Sequence, residues 1–475
     1  MNNRRDFLKL ASLAGIGLLG HNSIKGSESE YRKDSALKHI KKASEKPYRQ
    51  IFNMSGYRAP KIDTVRIGFI GLGRGIAHFK SATKLEGVNI KAVCDLVPEK
   101  IERAMDMLKG TGHKPDIYTD DVNAWKRLCE RDDLDLIYVA TPWDMHVEVA
   151  LYAMEQGKHV GIEVPAATTV AECRQLVTKS ETTRKHCVIL ENCCYDFFEL
   201  LTLNMARQGF FGEVMHCEGA YIHDLLDNIT RKNFKWNMWR LRENISRNGN
   251  LYPTHGLGPV CQIMNINRGD KMNYLVSMST NDFMLSARLN EMKAEDSFFR
   301  QFSANNPRGN MNTTLIRTNM GKTIMLQHDV SSPRPYSRIH MVSGTKATAQ
   351  KYPLPEKIAT SHKGWLSEEE LKPLEEKYQP EIIKRIGEMA KQVGGHGGMD
   401  FLMNWRLIDC LRNGLPVDMD VYDTAAWSII GPLSEWSVAN RSSAIDIPDF
   451  TSGSWKTNTP VDVALKEGGT TGIRL

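Results

Sequence analysis

The chain has no CxxC pair, no HExxH and none of the Cys/His spacings of structural zinc sites, although it carries 9 cysteines and 14 histidines in 475 residues. Those absences exclude the common sequence-encoded metal centres, and no structural metal is expected. The odd set of cysteines reads instead as small buried apolar residues. There is no basic stripe interleaved with aromatics, and a formal net charge of +6 is small for this length. Nucleic acid is therefore not expected as a partner. No internal repeat or long low-complexity tract is visible. Beyond the N-terminal segment, no stretch is long and apolar enough for a transmembrane helix. What is present is 41% hydrophobic and 25% charged residues, a soluble composition with core material for about two domains.

The first residues read as a targeting segment. Asn3-Arg4-Arg5-Asp6-Phe7-Leu8-Lys9 resembles the twin-arginine export motif, and an apolar run from Leu10 to Gly20 follows. That run is too short for a permanent membrane anchor, and no cysteine follows it to carry a lipid. The bland alternative is an N-terminal helix of the fold. Residues 1–30 are assigned to the signal, and export in the folded state to the periplasm is expected. Residues 31–62 are polar, Lys-rich and patternless, a linker or an arm lying on the surface. Outside the cytoplasm there is no nicotinamide pool. A nicotinamide enzyme there has to hold its cofactor and regenerate it in place.

From Thr64 the pattern changes. Val65–Ile70, Val88–Asp95, Leu134–Ala140, His159–Glu163 and Cys187–Leu190 read as strands, with helical segments between them. This alternation predicts an α/β domain over 63–190, a Rossmann-type doubly wound parallel sheet. After Gly209 the strands follow one another with few helices: to Tyr221, Tyr274–Thr280, Thr313–Thr318, Lys322–His328 and Ser337–Gly344. Residues 191–475 are therefore expected to form an α+β domain on an open, mainly antiparallel sheet. Ser367 with Glu370 is a capping-box pattern, and the helical region breaks near Gly394-Gly395. Further helices are expected over Met399–Arg412, stopped by Asn413-Gly414, and over Tyr422–Ala439. Trp405 and Trp427 read as core.

Gly71-x-Gly73 lies between a strand and a helix start, the setting of a dinucleotide turn. The helix N-terminus then faces the phosphates. The third position of the fingerprint is Ile76, so the motif alone is weak. Asp95 at the end of the second strand strengthens it: a carboxylate there accepts from an adenosine ribose and repels a 2′-phosphate, which favours NAD over NADP.

With these elements, Ala140-Thr141-Pro142-Trp143-Asp144-Met145-His146 and Gly157-Lys158-His159-Val160-Gly161-Ile162-Glu163-Val164-Pro165 resemble the glucose–fructose oxidoreductase/inositol dehydrogenase superfamily. The resemblance covers nearly all of the chain after Thr64. It implies a Rossmann domain followed by an open sheet that carries the substrate site. One departure matters. Dehydrogenases of that superfamily usually carry Glu-Lys-Pro, with the lysine assisting at the substrate hydroxyl. Here Val164 stands in its place and cannot relay a proton.

A narrower resemblance rests on Glu191-Asn192-Cys193-Cys194-Tyr195, Trp239-Arg240-Leu241-Arg242, Tyr252-Pro253-Thr254-His255-Gly256-Leu257-Gly258-Pro259, Pro335-Tyr336 and Gly395-His396-Gly397-Gly398-Met399-Asp400. Together they are similar to the NAD-dependent N-acetylgalactosaminidases of glycoside hydrolase family 109. The resemblance implies that Gly71, Gly73, Arg74, Asp95, Trp143, His146, Glu163, Val164 and Asn192 contact NAD. It implies that Tyr221, Arg240, His255 and Tyr336 contact the sugar, and that Tyr252 touches both. Terminal N-acetylgalactosamine of glycans is the implied substrate. The implied route is oxidation, elimination, water addition and reduction, which is redox-neutral and departs from the usual two-carboxylate glycosidase. His255 is the first choice of acid/base group because an imidazole titrates near neutrality. Tyr195 is the second catalytic candidate, and the base stays open between His255 and a tyrosine. His396 is left outside the site. The alternatives are an exported sugar oxidoreductase with a tightly held cofactor and a non-catalytic NAD- or sugar-binding sensor. Relatives commonly self-associate through the open sheet, so a homo-oligomer is implied.

Overall fold

The computed structural model describes Leu37 and residues 39–474. The expected signal segment lies outside the described residues. Residues 39–45 are helical, and the chain then crosses the surface to the first strand. This arm is stitched down: Tyr48 donates to Glu181 at 2.9 Å, Gln50 donates to the Tyr422 hydroxyl at 2.6 Å, and Met54 is buried. Among the described residues no helix is long and apolar enough to cross a membrane.

The first sheet has six parallel strands in the order β3-β2-β1-β4-β5-β6. They are β1 (Val65–Ile70), β2 (Val88–Cys94), β3 (Asp116–Tyr118), β4 (Leu136–Val139), β5 (His159–Ile162) and β6 (Cys187–Ile189). Helices cover the sheet, so β4, β5 and β6 are buried along their whole length and read as near-continuous apolar runs. β3 was not anticipated. It is three residues long at the sheet edge, with Asp116 and Ile117 exposed, too short and too wet to leave a periodic signal.

The second sheet runs β13-β12-β11-β7-β10-β9-β8-β14. Its strands are β7 (Val214–Ile222), β8 (Met272–Ser279), β9 (Asn312–Thr318), β10 (Thr323–Asp329), β11 (Met341–Gly344), β12 (Thr348–Gln350), β13 (Lys357–Ala359) and β14 (Ile445–Asp446). Every neighbour pair is antiparallel except β7 with β10, so the sheet is mixed and largely antiparallel. One face is packed by the helices Thr254–Ile263 and Ile430–Ala439. The other carries a cross-strand row of Val276, Leu315, Met325, Glu218 and Met341.

The capping box at Ser367 and Glu370 is formed in both directions and starts the helix Glu368–Tyr378. The expected last helix is two, Val421–Ser428 and Ile430–Ala439. Pro432 has no N–H to return to Ser428, and the ladder breaks there. The helix Met399–Asn413 ends at Gly414 in the left-handed region (φ 62°), where glycine pays no Cβ penalty. Although it belongs to the last part of the chain, it packs on β1 and on the helix Ile76–Thr83. Trp405 and Trp427 are fully buried, and all nine cysteines are buried and free.

Candidate active site

The glycine turn after β1 is tight because two glycines make it so. A Cβ on Gly71, whose φ is +89°, would lie 2.5 Å from the Ala140 carbonyl oxygen, and one on Gly75 would lie 2.1 Å from the Gly71 oxygen. Gly73 is different: a Cβ there would meet only the Lys100 ammonium, at 3.8 Å. The space above the turn is open, as close backbone approach to a pyrophosphate requires. Asp95 fixes the turn, accepting from the Leu72 N–H at 2.7 Å and the Val97 N–H at 2.9 Å, with the Lys100 ammonium 3.6 Å away. These residues fit a bound dinucleotide.

Behind the turn lies a network of buried charges. Arg74 holds Asp400 with two hydrogen bonds, at 2.7 and 3.1 Å, and its Nε lies 3.2 Å from Glu163. Glu163 also faces His78 Nε2 at 2.7 Å. Asn404 donates to His78 Nδ1, so the ring proton sits on Nε2 and points at Glu163. Burial alone would raise the Glu163 carboxyl, but the Arg74 charge and the His78 N–H outweigh it and hold it down to about 2. Asp400 takes the Asn192 amide at 2.6 Å and His396 Nδ1 at 2.9 Å, and it too is held below the ordinary range against its burial, by His396 and Arg74. Asp400 stands in the first turn of Met399–Asn413. It therefore ties the glycine turn of the first domain to a late helix.

The sugar-side candidates come together as an aromatic cluster. Ring centroids of Tyr221 and Tyr252 are 4.7 Å apart, those of Tyr221 and His255 5.0 Å, and those of Tyr252 and His255 4.9 Å. Trp143 joins from the first domain, 6.0 Å from Tyr252 and 4.9 Å from Trp239. The Arg240 guanidinium lies 5.2 Å from the Tyr252 ring centre and 5.8 Å from that of Trp143, within cation–π reach. Tyr336 closes one side, 5.0 Å from His223, which accepts or donates at 3.0 Å to the Tyr221 hydroxyl. Two facing glycines allow this geometry. A Cβ on Gly256 would meet the Ala220 nitrogen at 2.2 Å, and one on Gly219 would meet the Gly256 oxygen at 2.4 Å. The helix Thr254–Ile263 thus lies backbone against β7 and sets His255 beside Tyr221.

His255 is oriented by Glu191, whose oxygens lie 2.7 and 3.0 Å from Nδ1. Glu191 is fully buried; burial would raise its carboxyl, and the facing His255 outweighs this and lowers it. Nδ1 therefore carries the proton and Nε2 is the ring nitrogen left for a ligand. Among the described residues, the Arg240 guanidinium has no acidic partner and the Tyr252 hydroxyl has no hydrogen bond. Cys193 Sγ lies within 4.8 Å of the Glu191 and His255 donor atoms, a grouping of three potential ligands that no sequence spacing announced.

Two candidates are placed elsewhere. Tyr195 was expected near the chemistry, but its hydroxyl donates to Asp418 at 3.0 Å, and its ring is buried among Val188, Leu190, Met403 and Leu407. The 3-10 turn Asn192–Tyr195 carries both residues, yet Asn192 reaches Asp400 while Tyr195 enters the core. His146 was expected to touch NAD. Both of its ring nitrogens instead meet protein carbonyls, Pro165 and Thr141, each at 2.9 Å, and it pins together the loops after β4 and β5. Val164 is buried in the apolar core.

Glu191, Asp400, Trp239 and His223 were given no role from sequence. Glu191 had a readable signal: it follows β6 as Glu163 follows β5, at the carboxyl ends of parallel strands, where open α/β sheets bind ligands. Arg338 was also missed. It donates to the Tyr336 hydroxyl at 3.1 Å and is held by Glu199 at 2.6 Å and Asp196 at 2.5 Å.

Residues 195–457 match the family model described as glycosyl hydrolase 109, C-terminal domain. Residues 65–191 match the oxidoreductase family, NAD-binding Rossmann fold. Glycosyl hydrolase family 109 protein 1 of Bacteroides thetaiotaomicron is 48% identical over 413 residues, covering 83% of this chain and 86% of the relative. An alpha-N-acetylgalactosaminidase of Bacteroides fragilis is 49% identical over 414 residues, covering 84% of this chain and 95% of that one. A family 109 protein of Shewanella pealeana is 43% identical over 474 residues, covering 97% and 99%. Among solved structures, levoglucosan dehydrogenase in complex with NADH shares the fold at TM-score 0.59 and 16% identity, covering 81% of this chain and 100% of that one. The chain belongs to glycosyl hydrolase family 109, and its first domain is an NAD-binding Rossmann domain.

Proposed function

We propose that the protein is a glycosidase that removes terminal N-acetylgalactosamine from glycans by a redox-neutral route with NAD retained. The observation that carries this reading is the convergence of His255, its buried partner Glu191, Arg240 and Tyr252 beside the NAD turn. When bound, NAD supplies hydride acceptance and hydride return at one sugar carbon. Everything else falls to the chain. Glu191 keeps the Nδ1 proton on His255, so Nε2 can take a proton from the substrate and give one back. Arg240, with no acidic partner among the described residues, and the Tyr252 hydroxyl are available to sugar or acetamido oxygens. Trp143, Tyr221 and Tyr252 offer flat apolar faces to a pyranose and exclude water around His255. Buried Val164 has no proton to relay, which favours a redox-neutral glycosidase over a simple sugar dehydrogenase. The relative named alpha-N-acetylgalactosaminidase supports the substrate class.

Two further parts of the reading rest on sequence and surface. Arg4 and Arg5 before the apolar run support export through the twin-arginine pathway. The uncovered row of Val276, Leu315 and Met325 supports self-association through the open sheet. The central test uses purified protein with no added cofactor and p-nitrophenyl N-acetylgalactosaminides of both anomers. Nitrophenol release without net NADH formation is expected. Steady NADH formation from free sugars and added NAD+, with no nitrophenol, would mean a dehydrogenase instead.

A further inference from the structure

Behind His255 three unlike donor atoms converge. Glu191 presents both carboxylate oxygens to Nδ1, at 2.7 and 3.0 Å, and Cys193 Sγ lies within 4.8 Å of both donor groups. Among the described residues this is the one such grouping. The main chain ties two of its members together: Glu191 Oε1 accepts the Cys193 N–H at 3.1 Å at the start of the 3-10 turn Asn192–Tyr195. Gly258 lets the helix of His255 lie on that turn, since a Cβ there would stand 2.9 Å from Cys194 Sγ and 3.0 Å from Glu191 Cγ. Glu191 and Cys193 are buried, and the His255 side chain is 14% exposed, so the group meets solvent only at the imidazole. A thiolate, an imidazole nitrogen and a carboxylate oxygen ligate zinc at about 2.0–2.3 Å, and tetrahedral placement sets such atoms about 3.5 Å apart. From the distances here, the Glu191–His255 pair has to open by roughly 0.8 Å and Sγ has to approach by at most roughly 1.3 Å. Small side-chain rotations cover both. Magnesium and calcium need six or more oxygens, and this group offers one carboxylate. The Glu191 carboxylate and a Cys193 thiolate together neutralise a dication, so no net charge would be buried.

We propose that Glu191, Cys193 and His255 form an inhibitory zinc site that inverts the imidazole. Zn2+ binds Nδ1, Sγ and one Glu191 oxygen. The Cys193 thiol, which donates to Asn192 Oδ1 at 3.5 Å, gives its proton to solvent. The ring proton leaves Nδ1 and is carried on Nε2, because a neutral imidazole that ligates through one nitrogen keeps its hydrogen on the other. One proton is released per ion bound, and no electron moves. Nε2 then donates where the zinc-free ring accepts, and it has no lone pair left to take a proton from substrate. Ion binding is independent of which sugar is cleaved, while the inhibition rests on the glycosidase reading.

The test takes two readouts from the full-length protein. Without sugar, Co2+ stands in for Zn2+, and a thiolate-to-cobalt absorption band in the near ultraviolet reports ligation by Sγ. The band is expected in the parent and absent from Cys193→Ala and Cys193→Ser. With p-nitrophenyl N-acetylgalactosaminide, Zn2+ should inhibit, EDTA should restore the rate, and Mg2+ and Ca2+ should have no effect. Each rate is divided by the same variant's zinc-free rate. Half-inhibition of Cys193→Ala should need at least ~10-fold more Zn2+, since losing a ligand costs no less than losing a group that merely orients one. Cys194→Ala, whose thiol is outside the group, should match the parent in both readouts. No band in the parent, or a band that persists in Cys193→Ala, overturns the proposal. So does an active enzyme that ligates cobalt without being inhibited by zinc, or zinc inhibition that loss of Cys193 leaves unaltered. Absence of glycosidase activity, with a band that Cys193→Ala loses, would sink the sugar reading and leave the metal site standing.

Discussion

Around the glycine turn the charged side chains are consumed by one another: Arg74 by Asp400 and Glu163, Glu163 by His78, and Asp400 by Asn192 and His396. Around Tyr252 the polar groups wait: Arg240, the Tyr252 hydroxyl and Nε2 of His255 lie among aromatic rings with no acidic partner for the guanidinium among the described residues. The first arrangement is preorganised and stiff, suited to a group that stays. The second leaves its hydrogen-bonding capacity for a ligand that comes and goes, and only Glu191, behind His255, is spent in advance.

The comparison implies that the two halves fail differently. The largest effect belongs to His255→Ala, which should lower nitrophenol release by about 10^3-fold, within the range for losing a general acid/base, while NAD stays bound. Loss of the cofactor in the same variant would break the separation between the halves. Next is Asp400→Ala, which leaves the Arg74 guanidinium with Glu163 alone and strands the Asn192 amide. It should cost about 3–5 kcal/mol in denaturant unfolding, the penalty for breaking a buried pair, and weaken NAD retention. A stable Asp400→Ala protein that keeps NAD would show that the paired half is ornament. The smallest effect is Tyr195→Phe: one hydrogen bond to Asp418 is lost, about 1 kcal/mol, with turnover unchanged. A collapse of turnover there would move the edge of the site inward to the 3-10 turn.

Both sheets were legible because a buried parallel sheet needs apolar runs and because glycine turns and capping boxes leave local marks. Ser367 and Glu370 show this, since both halves of their box lie within one turn. What local pattern does not carry is partnership over distance. His255 stands 64 residues from Glu191, and Arg74 stands 326 from Asp400, so neither pair could be read by spacing. The sugar-side residues Tyr221, Arg240, Tyr252 and Tyr336 are implied by family resemblance alone, and the fold brings them into one cluster. Tyr195 shares a motif with Asn192, three residues before it, yet its hydroxyl is taken by Asp418. Local pattern does not say which side chain of such a turn reaches the site, and tertiary packing decides it. Asp400 closes the glycine-rich segment Gly395–Asp400, where nothing local marks its distant partner Arg74. Its neighbour Gly395 shows why that motif is glycine-rich: a Cβ there would lie 2.9 Å from the Asp400 Cβ.

The bond between Arg74 and Asp400 also sets an order of events during synthesis. The dinucleotide turn emerges from the ribosome early, yet the carboxylate that holds its arginine is translated after seven of the eight strands of the second sheet. A nascent chain that has completed only the first domain displays the glycines without the lock. The arginine of that turn is therefore locked to its carboxylate only when the polypeptide is nearly whole.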